Sequence, residues 1–391
     1  MFVYFIRLAR MKRSLTLLLF LGILVSGCKK NPPYQPEIEF EHTYIKTGNQ
    51  VANRMIALAD RLAIIGTNVS ANPTSIDMTF VDFNGELLLS REVGSGTEGA
   101  GLKYTQDNGL ILVGSITNEN GDKNVYLAKT DTDGTLHWER NFGGPLSDQG
   151  RDVIELENGD FMIIGTTQSF GAGVASMYVI RTDFEGNEIW SRTFGGEGLD
   201  GGSELVQVNS FEVMLLGFTE SFGAGGRDIY LQSVSTDGDS LWSSTYGGSG
   251  YEESQSIART SDGGFIMCNH SASNEPNHSI VATKMNSNGQ VVWEQEFGTA
   301  TAHEGGEGVL ADSEGNYVFL GRSNSFSDDE QVYLIKTDAT GNVLEEWVEG
   351  FELNDQRGND IIEHDGSYFI CGTSSRFSSS FVMLKKRPMN Y

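Results

Sequence analysis

The sequence predicts an all-β fold, a seven-bladed β-propeller of four-stranded antiparallel blades. Three observations carry that prediction. A repeat close to 51 residues runs along the chain, one large aromatic plug falls once per repeat, and short apolar runs come in pairs split by glycine turns.

The repeat is plainest in YLAKTDTDGTLHWERNFGG (126–144), YVIRTDFEGNEIWSRTFGG (178–196) and YLQSVSTDGDSLWSSTYGG (230–248). Weaker copies are MTFVDFNGELLLSREVGSG (78–96), VATKMNSNGQVVWEQEFGT (281–299) and YLIKTDATGNVLEEWVEGF (333–351). Their turn glycines, Gly85, Gly134, Gly186, Gly238, Gly289 and Gly341, are separated by 49, 52, 52, 51 and 52 residues. All five tryptophans (Trp138, Trp190, Trp242, Trp293, Trp347) follow that glycine by four to six residues. The other half of each repeat holds two apolar runs around a tight turn, as in GRDVIELENGDFMIIGTT (150–167) and GNDIIEHDGSYFICGTS (358–374). Val, Ile, Phe and Tyr bounded by Asn-Gly, Asp-Gly or Gly-Gly read as hairpins. Each unit is therefore an inner strand, a tight turn, a second strand, a long loop, a third strand, an Asp-x-x-Gly-like turn and an outer tryptophan strand.

Inner hairpins fall near 51–67, 102–116, 150–167, 202–219, 254–271, 305–323 and 358–374, which makes seven. Third strands fall near 76, 126, 178, 229, 280, 332 and 381. Only six outer strands follow residue 80, so the seventh is expected at the other end. In IEFEHTYIK, Phe40 and Tyr44 match the spacing of Trp138 and Phe142. This strand completes the last blade beside FVMLKK (381–386), closing the ring and removing a free edge. Residues 37–391, divided by seven, return the repeat length of about 51.

Composition narrows the function. Glycine is 48 of 391 residues without a Gly-X-Y period, which excludes collagen, and the 38% hydrophobic share argues against disorder. The net charge is −26, and −30 from Cys28 onward because residues 1–27 hold four bases and no acid. Such a polyanion repels nucleic acid and anionic membrane surfaces, so neither is expected as a primary partner. Three cysteines make no disulfide framework.

Residues 11–28 read MKRSLTLLLFLGILVSGC: two bases, an apolar run too short for a comfortable span, then Val25-Ser26-Gly27-Cys28. This leader resembles the bacterial lipobox. The resemblance implies translation from Met11, removal of residues 1–27, lipidation of Cys28 and, since Lys29 is not the aspartate of inner-membrane retention, an outer-membrane anchor facing the periplasm or the exterior. Residues 28–36 hold three of the seven prolines and are expected to form an extended tether to a single propeller domain over 37–391. The repeats resemble those of secreted and lipid-anchored bacterial propellers. The Asp-x-x-Gly-x-x-x-Trp segment is similar to the tryptophan docking motif of quinoprotein-type propellers, which implies a fold and no activity.

Several constellations read as structure. Asp131-Thr132-Asp133-Gly134 opens like a calcium loop, but strand residues follow where further oxygen ligands would be needed. Its sister turns keep the glycine and lose the acids, so turn chemistry is expected. Cys268 and Cys371 share the repeat position of Ile164 and are expected as buried apolar groups. The six histidines occupy differing repeat positions without the spacing of a zinc site. No catalytic set, metal or cofactor is expected.

One surface is informative. Loops from each outer strand to the next inner strand carry Asp148, Asp152, Asp200, Glu204, Glu252, Glu307, Asp355 and Asp360, expected to converge near the channel mouth as a candidate ligand or cation face. Either each acid accepts backbone N–H bonds locally, or the set binds a cation or polyol. Recurrence in every blade favours the local role, because a ligand site breaks symmetry. Symmetry does break: Arg54 and Lys103 stand where other blades carry Asp152 and Glu204, and SASNEPNHS (271–279) replaces a Phe-Gly loop. A site is expected where the repeat is least regular.

The function expected is a non-catalytic binding or scaffolding module, monomeric and anchored in the cell envelope through Cys28, with an envelope protein or glycan as partner. It resembles by fold the propeller lipoprotein of the outer-membrane barrel assembly machinery, with a different blade count. The alternative is an extracytoplasmic glycan binder, hydrolase or lyase working at the channel mouth. A quinone-cofactor dehydrogenase is a third reading, resting on the tryptophans alone.

Overall fold

The computed structural model describes residues 39–44, 49–272, 278–298, 303–325, 329–349, 355–376 and 379–389. The expected leader, Cys28 and the tether lie outside them. Among the described residues twenty-eight strands form seven four-stranded antiparallel sheets arranged as a ring. The chain is a seven-bladed β-propeller. Among the described residues no helix is long and apolar enough to cross a membrane.

The inner strands, from blade 1 to blade 7, are Gln50–Ala57, Glu98–Tyr104, Asp148–Glu155, Asp200–Gln207, Glu252–Arg259, Glu304–Ala311 and Asp355–His364. Six blades take their strands in sequence order. Blade 7 takes its outer strand, Phe40–Tyr44, from the other end of the chain. Phe40 pairs with Lys386 and Tyr44 with Val382, in the register that places Trp138 on Lys129 and Phe142 on Val125 in blade 2. The ring closes as the aromatic spacing predicts.

Apolar cores lie between neighbouring blades rather than within one. Val113 and Leu127 of blade 2 pack with Ile163 and Ile180 of blade 3, all buried. The inner strands approach the preceding blade so closely that little side chain fits: a Cβ on Gly202 would sit 2.3 Å from Ile164. The repeat glycine works in the same way. Gly289 has φ +77°, and a Cβ there would meet the Trp242 ring of the preceding blade at 2.4 Å. Trp138, Trp190, Trp242 and Trp293 thus each lie on the next blade's turn. Trp190 and Trp293 also donate from Nε1 to the carbonyls of Thr236 and Ala339 at 3.2 Å.

Trp347 departs from this pattern. It pairs with Leu334, whereas Lys336, the counterpart of Trp293's partner Lys284, pairs with Glu345. The two extra residues after Gly341 carry the ring past the docking slot. There it is buried under the Arg387 guanidinium, 4.3 Å from the ring centroid.

Candidate functional site: the channel mouth

Each inner strand begins on the face that carries the loops between blades, here called the upper face, and runs down the central channel. A bulge one-third of the way along re-aims the residue that follows it, which is Arg54, Gly101, Asp152, Glu204, Ser256, Gly308 and Asp360 in blades 1 to 7, so five blades carry a side chain there and blades 2 and 6 carry none. Lys103 does not share this position, as its sequence spacing suggested. It stands two residues further on, because Gly101 takes the bulge position in blade 2.

The eight acids therefore fall into three tiers. Asp148, Asp200 and Glu252 are buried at the strand starts and brace their own loops. Asp148 accepts from Gly144 N at 2.7 Å and Ser169 Oγ at 2.8 Å, and Asp200 from Gly196 N and Ser221 Oγ, both at 2.7 Å. Glu252 accepts from Gly248 N at 2.8 Å. Asp152, Glu204 and Asp360 form the second tier, in mid-channel. Asp360 accepts from Met55 N and Glu204 from Ile257 N, each at 2.8 Å, so each acid ties its blade to the next. Glu307 and Asp355 form the third tier, at the mouth.

The mid-channel tier is a charged plug. Arg54 lies 3.3 Å from Glu204 and 3.5 Å from Asp360, and Lys103 lies 3.9 Å from Asp152. Burial works against the Arg54 charge, but the two carboxylates outweigh it and raise its pKa. Burial raises Glu204 and Asp360, with Arg54 opposing. Arg54 separates an upper cavity of about 730 Å³ from a lower one of about 320 Å³.

All seven blades line the upper cavity, with amides and hydroxyls (Asn53, Gln149, Ser203, Gln255, Asn359) interleaved with Glu98, Arg151, Glu253, Glu307 and Arg357. Burial pushes the Glu307 carboxyl up to about 7, against the opposing pull of Arg322 at 3.5 Å and of Arg357. Arg322 also faces Glu330, which Arg357 binds in turn.

One ring of positions shows where symmetry fails. At the upper end of the second strand, blades 1, 2, 3 and 7 carry Thr67, Ser115, Thr166 and Thr373. Blades 4, 5 and 6 carry Phe218, His270 and Arg322 at the paired-strand equivalent. The Arg227 guanidinium lies 4.0 Å from the Phe218 ring and 4.8 Å from the Tyr251 ring, and donates to Tyr251 Oη at 2.7 Å. Burial first, then Glu253, pushes the Tyr251 hydroxyl up to about 12.

Sequence spacing hid one cluster. His270, His278 and His303 come together between blades 5 and 6, with ring centroids 4.6 Å and 5.0 Å apart in succession and the rings nearly perpendicular. Tyr251 continues the row, 6.5 Å from His270. Burial first, then His278, Arg322 and His303, holds His270 down at about 4. Among the described residues no three histidine, cysteine or acid side chains are arranged to hold a metal ion. Asp131 accepts from Asp133 N at 2.9 Å and Thr135 N at 2.7 Å, a turn's own bonding. Cys268 and Cys371 are buried and unpaired. Residues 273–277 of the irregular loop lie outside the described residues.

No protein-family model matches the chain, and no curated protein matches it. Solved propellers do. A polysaccharide lyase, PL25 ulvan lyase bound to a GlcA–Rha3S unit, aligns with TM-score 0.64 and 10% identity, covering 90% of this chain and 96% of its own. YCF48 bound to a D1 peptide aligns with TM-score 0.55 and 13% identity, covering 94% and 100%. The propeller domain of the trilobed protease of Pyrococcus furiosus aligns with TM-score 0.52 and 8% identity, covering 89% and 97%. At these identities the likeness is one of fold.

Proposed function

We propose that this chain is a lipid-anchored cell-envelope propeller that acts as a non-catalytic binding module and takes a glycan in the upper mouth of its channel. One observation carries the reading. A polar cavity of about 730 Å³ draws side chains from every blade, and the loss of repeat symmetry is concentrated beside it on blades 4 to 6. That volume lies within the range of small-ligand sites. Its amides and hydroxyls match the hydroxyl groups of a polyol, while the plug at Arg54 gives the cavity a floor. Outer strands run upward from the turn face, so a tether entering at Phe40 leaves the mouth pointing away from the lipid. The sugar bound to the ulvan lyase supports a glycan here, and the peptide bound to YCF48 supports the competing protein partner.

The test is retention of purified residues 28–391 on immobilised envelope polysaccharides, beside Ser203→Trp, which fills the mouth. Loss of retention in the variant supports the reading, and equal retention removes it. Crosslinking of the full-length protein in membranes, beside Cys28→Ser, reports the anchor and any protein partner. A hydrolase or lyase is the second reading. It rests on Glu307, a half-buried mouth carboxyl pushed up to about 7 and so able to exchange a proton near neutrality. Release of oligosaccharide by the wild type but not by Glu307→Gln would favour it.

A further inference from the structure

The residue inside each inner-strand bulge stands unpaired in its ladder, and in all seven blades it lines the upper cavity. These seven equivalent positions differ in what their side chains are already bonded to. We propose that Arg151, Ser203 and Gln255, on consecutive blades 3 to 5, form the subsite for an acidic sugar of the glycan, with the sugar's carboxylate or sulfate on the Arg151 guanidinium. This inference rests on the glycan reading and names its substrate class.

Four of the seven positions are committed or apolar. On blade 1 Asn53 donates from Nδ2 to the Gly99 carbonyl at 2.5 Å, and on blade 7 Asn359 donates to the Ala52 carbonyl at 2.6 Å, so both amides staple their blade to the next. On blade 6 Glu307 faces Arg322 at 3.5 Å, and blade 2 has only the methyl group of Ala100. The remaining three are polar and tied to no other blade. Arg151 donates from Nη2 to Gln149 Oε1 on its own strand, at 3.3 Å. The side chains of Ser203 and Gln255 make no hydrogen bond among the described residues.

Charge singles out Arg151. Of the arginines on the cavity wall, Arg54 is held by Glu204 and Asp360, and Arg357 by Glu330. Among the described residues no carboxylate lies within ion-pair reach of Arg151, which is exposed. The acids of the wall are engaged in turn: Glu98 with Lys123 at 2.6 Å and Glu253 with Arg227 at 3.6 Å, while Asp355 accepts from Glu330 N at 3.0 Å. A chain with 53 acids and 27 bases thus keeps one arginine at its mouth without a carboxylate. A guanidinium presents a planar fork that two oxygens of an oxyanion match. The hydroxyl and amide on the next two blades both donate and accept, as sugar hydroxyls require. Phe218 is the one aromatic side chain on the wall among the described residues. Its ring lies over Gly201, where a Cβ would sit 2.6 Å away, and so offers the carbon-bound face of a sugar an apolar surface beside Ser203.

The experiment takes the envelope polysaccharide that retains residues 28–391 and removes its charge by two routes, carbodiimide reduction of uronate carboxylates and solvolytic desulfation. One treatment is expected to weaken wild-type binding by at least about tenfold, the effect of one charge-assisted contact. Sensitivity to carboxyl reduction assigns a uronate, and sensitivity to desulfation assigns a sulfate ester. Arg151→Gln is expected to lose the same factor on untreated polysaccharide and to lose nothing more on the treated material. Arg151→Lys keeps the charge without the fork and should recover part of the loss. Arg151 is exposed, so both variants should keep the wild-type thermal midpoint. Arg259→Gln makes the same charge change at the lower end of the blade 5 inner strand and should lose nothing. Binding that survives both treatments overturns the proposal, and so does wild-type binding by Arg151→Gln. If Ser203→Trp still loses retention in those cases, this inference falls and the mouth reading stands. If no envelope polysaccharide retains the wild type, both fall.

Discussion

Replacing Arg54 with methionine tests the channel plug directly. The guanidinium lies 3.3 Å from Glu204 and 3.5 Å from Asp360, and its side chain is only 17% exposed. At an effective dielectric of about 20, each contact is worth about 5 kcal/mol of attraction, most of it offset by desolvation. Methionine fills much of the volume and leaves two buried carboxylates facing each other. They escape by taking a proton, which at pH 7 costs a glutamate of ordinary pKa about 3.7 kcal/mol. One proton relieves most of the repulsion, so the expected loss at pH 7 is about 3–4 kcal/mol, within the range for breaking a buried pair. The sign of the pH dependence follows. In the variant, folded Glu204 and Asp360 hold protons that the unfolded chain has released, so stability falls as pH rises from about 4 to 7. Urea unfolding at pH 5 and pH 7 measures the difference. The deficit against wild type should shrink to about 1 kcal/mol at pH 5, and Glu204→Gln in the same background should restore part of the pH 7 loss. A deficit equal at both pH values, or below about 1 kcal/mol at pH 7, would refute the reasoning.

Three further outcomes are expected. Gly289→Ala places a Cβ 2.4 Å from the Trp242 ring at a φ of +77°, so it should cost at least about 2 kcal/mol, read as a lowered thermal midpoint with quenching or shift of tryptophan fluorescence. Glu307, pushed up to about 7, titrates above its unfolded value of about 4.3; its contribution is complete below the latter and is lost as pH rises through the former. Wild type should therefore weaken between pH 5 and pH 8, and Glu307→Gln should flatten that slope in urea titrations. Lys385 is fully buried, 3.2 Å from Glu41 and 3.9 Å from Glu349, so Lys385→Met should destabilise by about 2–4 kcal/mol and speed hydrogen exchange at residues 40–44 before the rest of the ring.

The fold was legible because a propeller repeats both its chemistry and its spacing. One glycine serves a left-handed turn and a neighbour's tryptophan at once, so it recurs near every 51 residues, and Phe40 and Tyr44 betray the strand that the C-terminal blade lacks. Asp148 and Asp152 were legible as recurring acids but not as members of different tiers. They are four residues apart, and the bulge between Gly150 and Asp152 turns one into its own loop and the other across the channel. Sequence spacing gave Lys103 the position that belongs to Gly101 for the same reason. The histidines were illegible because metal or ligand spacing is read locally, whereas His270, His278 and His303 reach one place from three segments. The signal that would have found them is the alignment of second-strand ends, where threonine and serine give way to Phe218, His270 and Arg322 on consecutive blades.

Closure of blade 7 by the first strand also sets the order in which the chain must finish folding. Glu39 meets Lys386 across 347 positions of sequence, so the earliest strand to be made waits for the last. Until then the third strand of blade 7, Ser379–Pro388, is an open edge able to pair with another chain. That edge carries three successive cations, Lys385, Lys386 and Arg387, whose partners Glu41, Glu39 and Glu349 arrive only from the first strand and the neighbouring blade. Charge on an unpaired strand discourages the wrong strand from docking there. The same three side chains that lock the finished ring thus guard its unfinished gap, and they admit a strand bearing acids at the matching alternate positions.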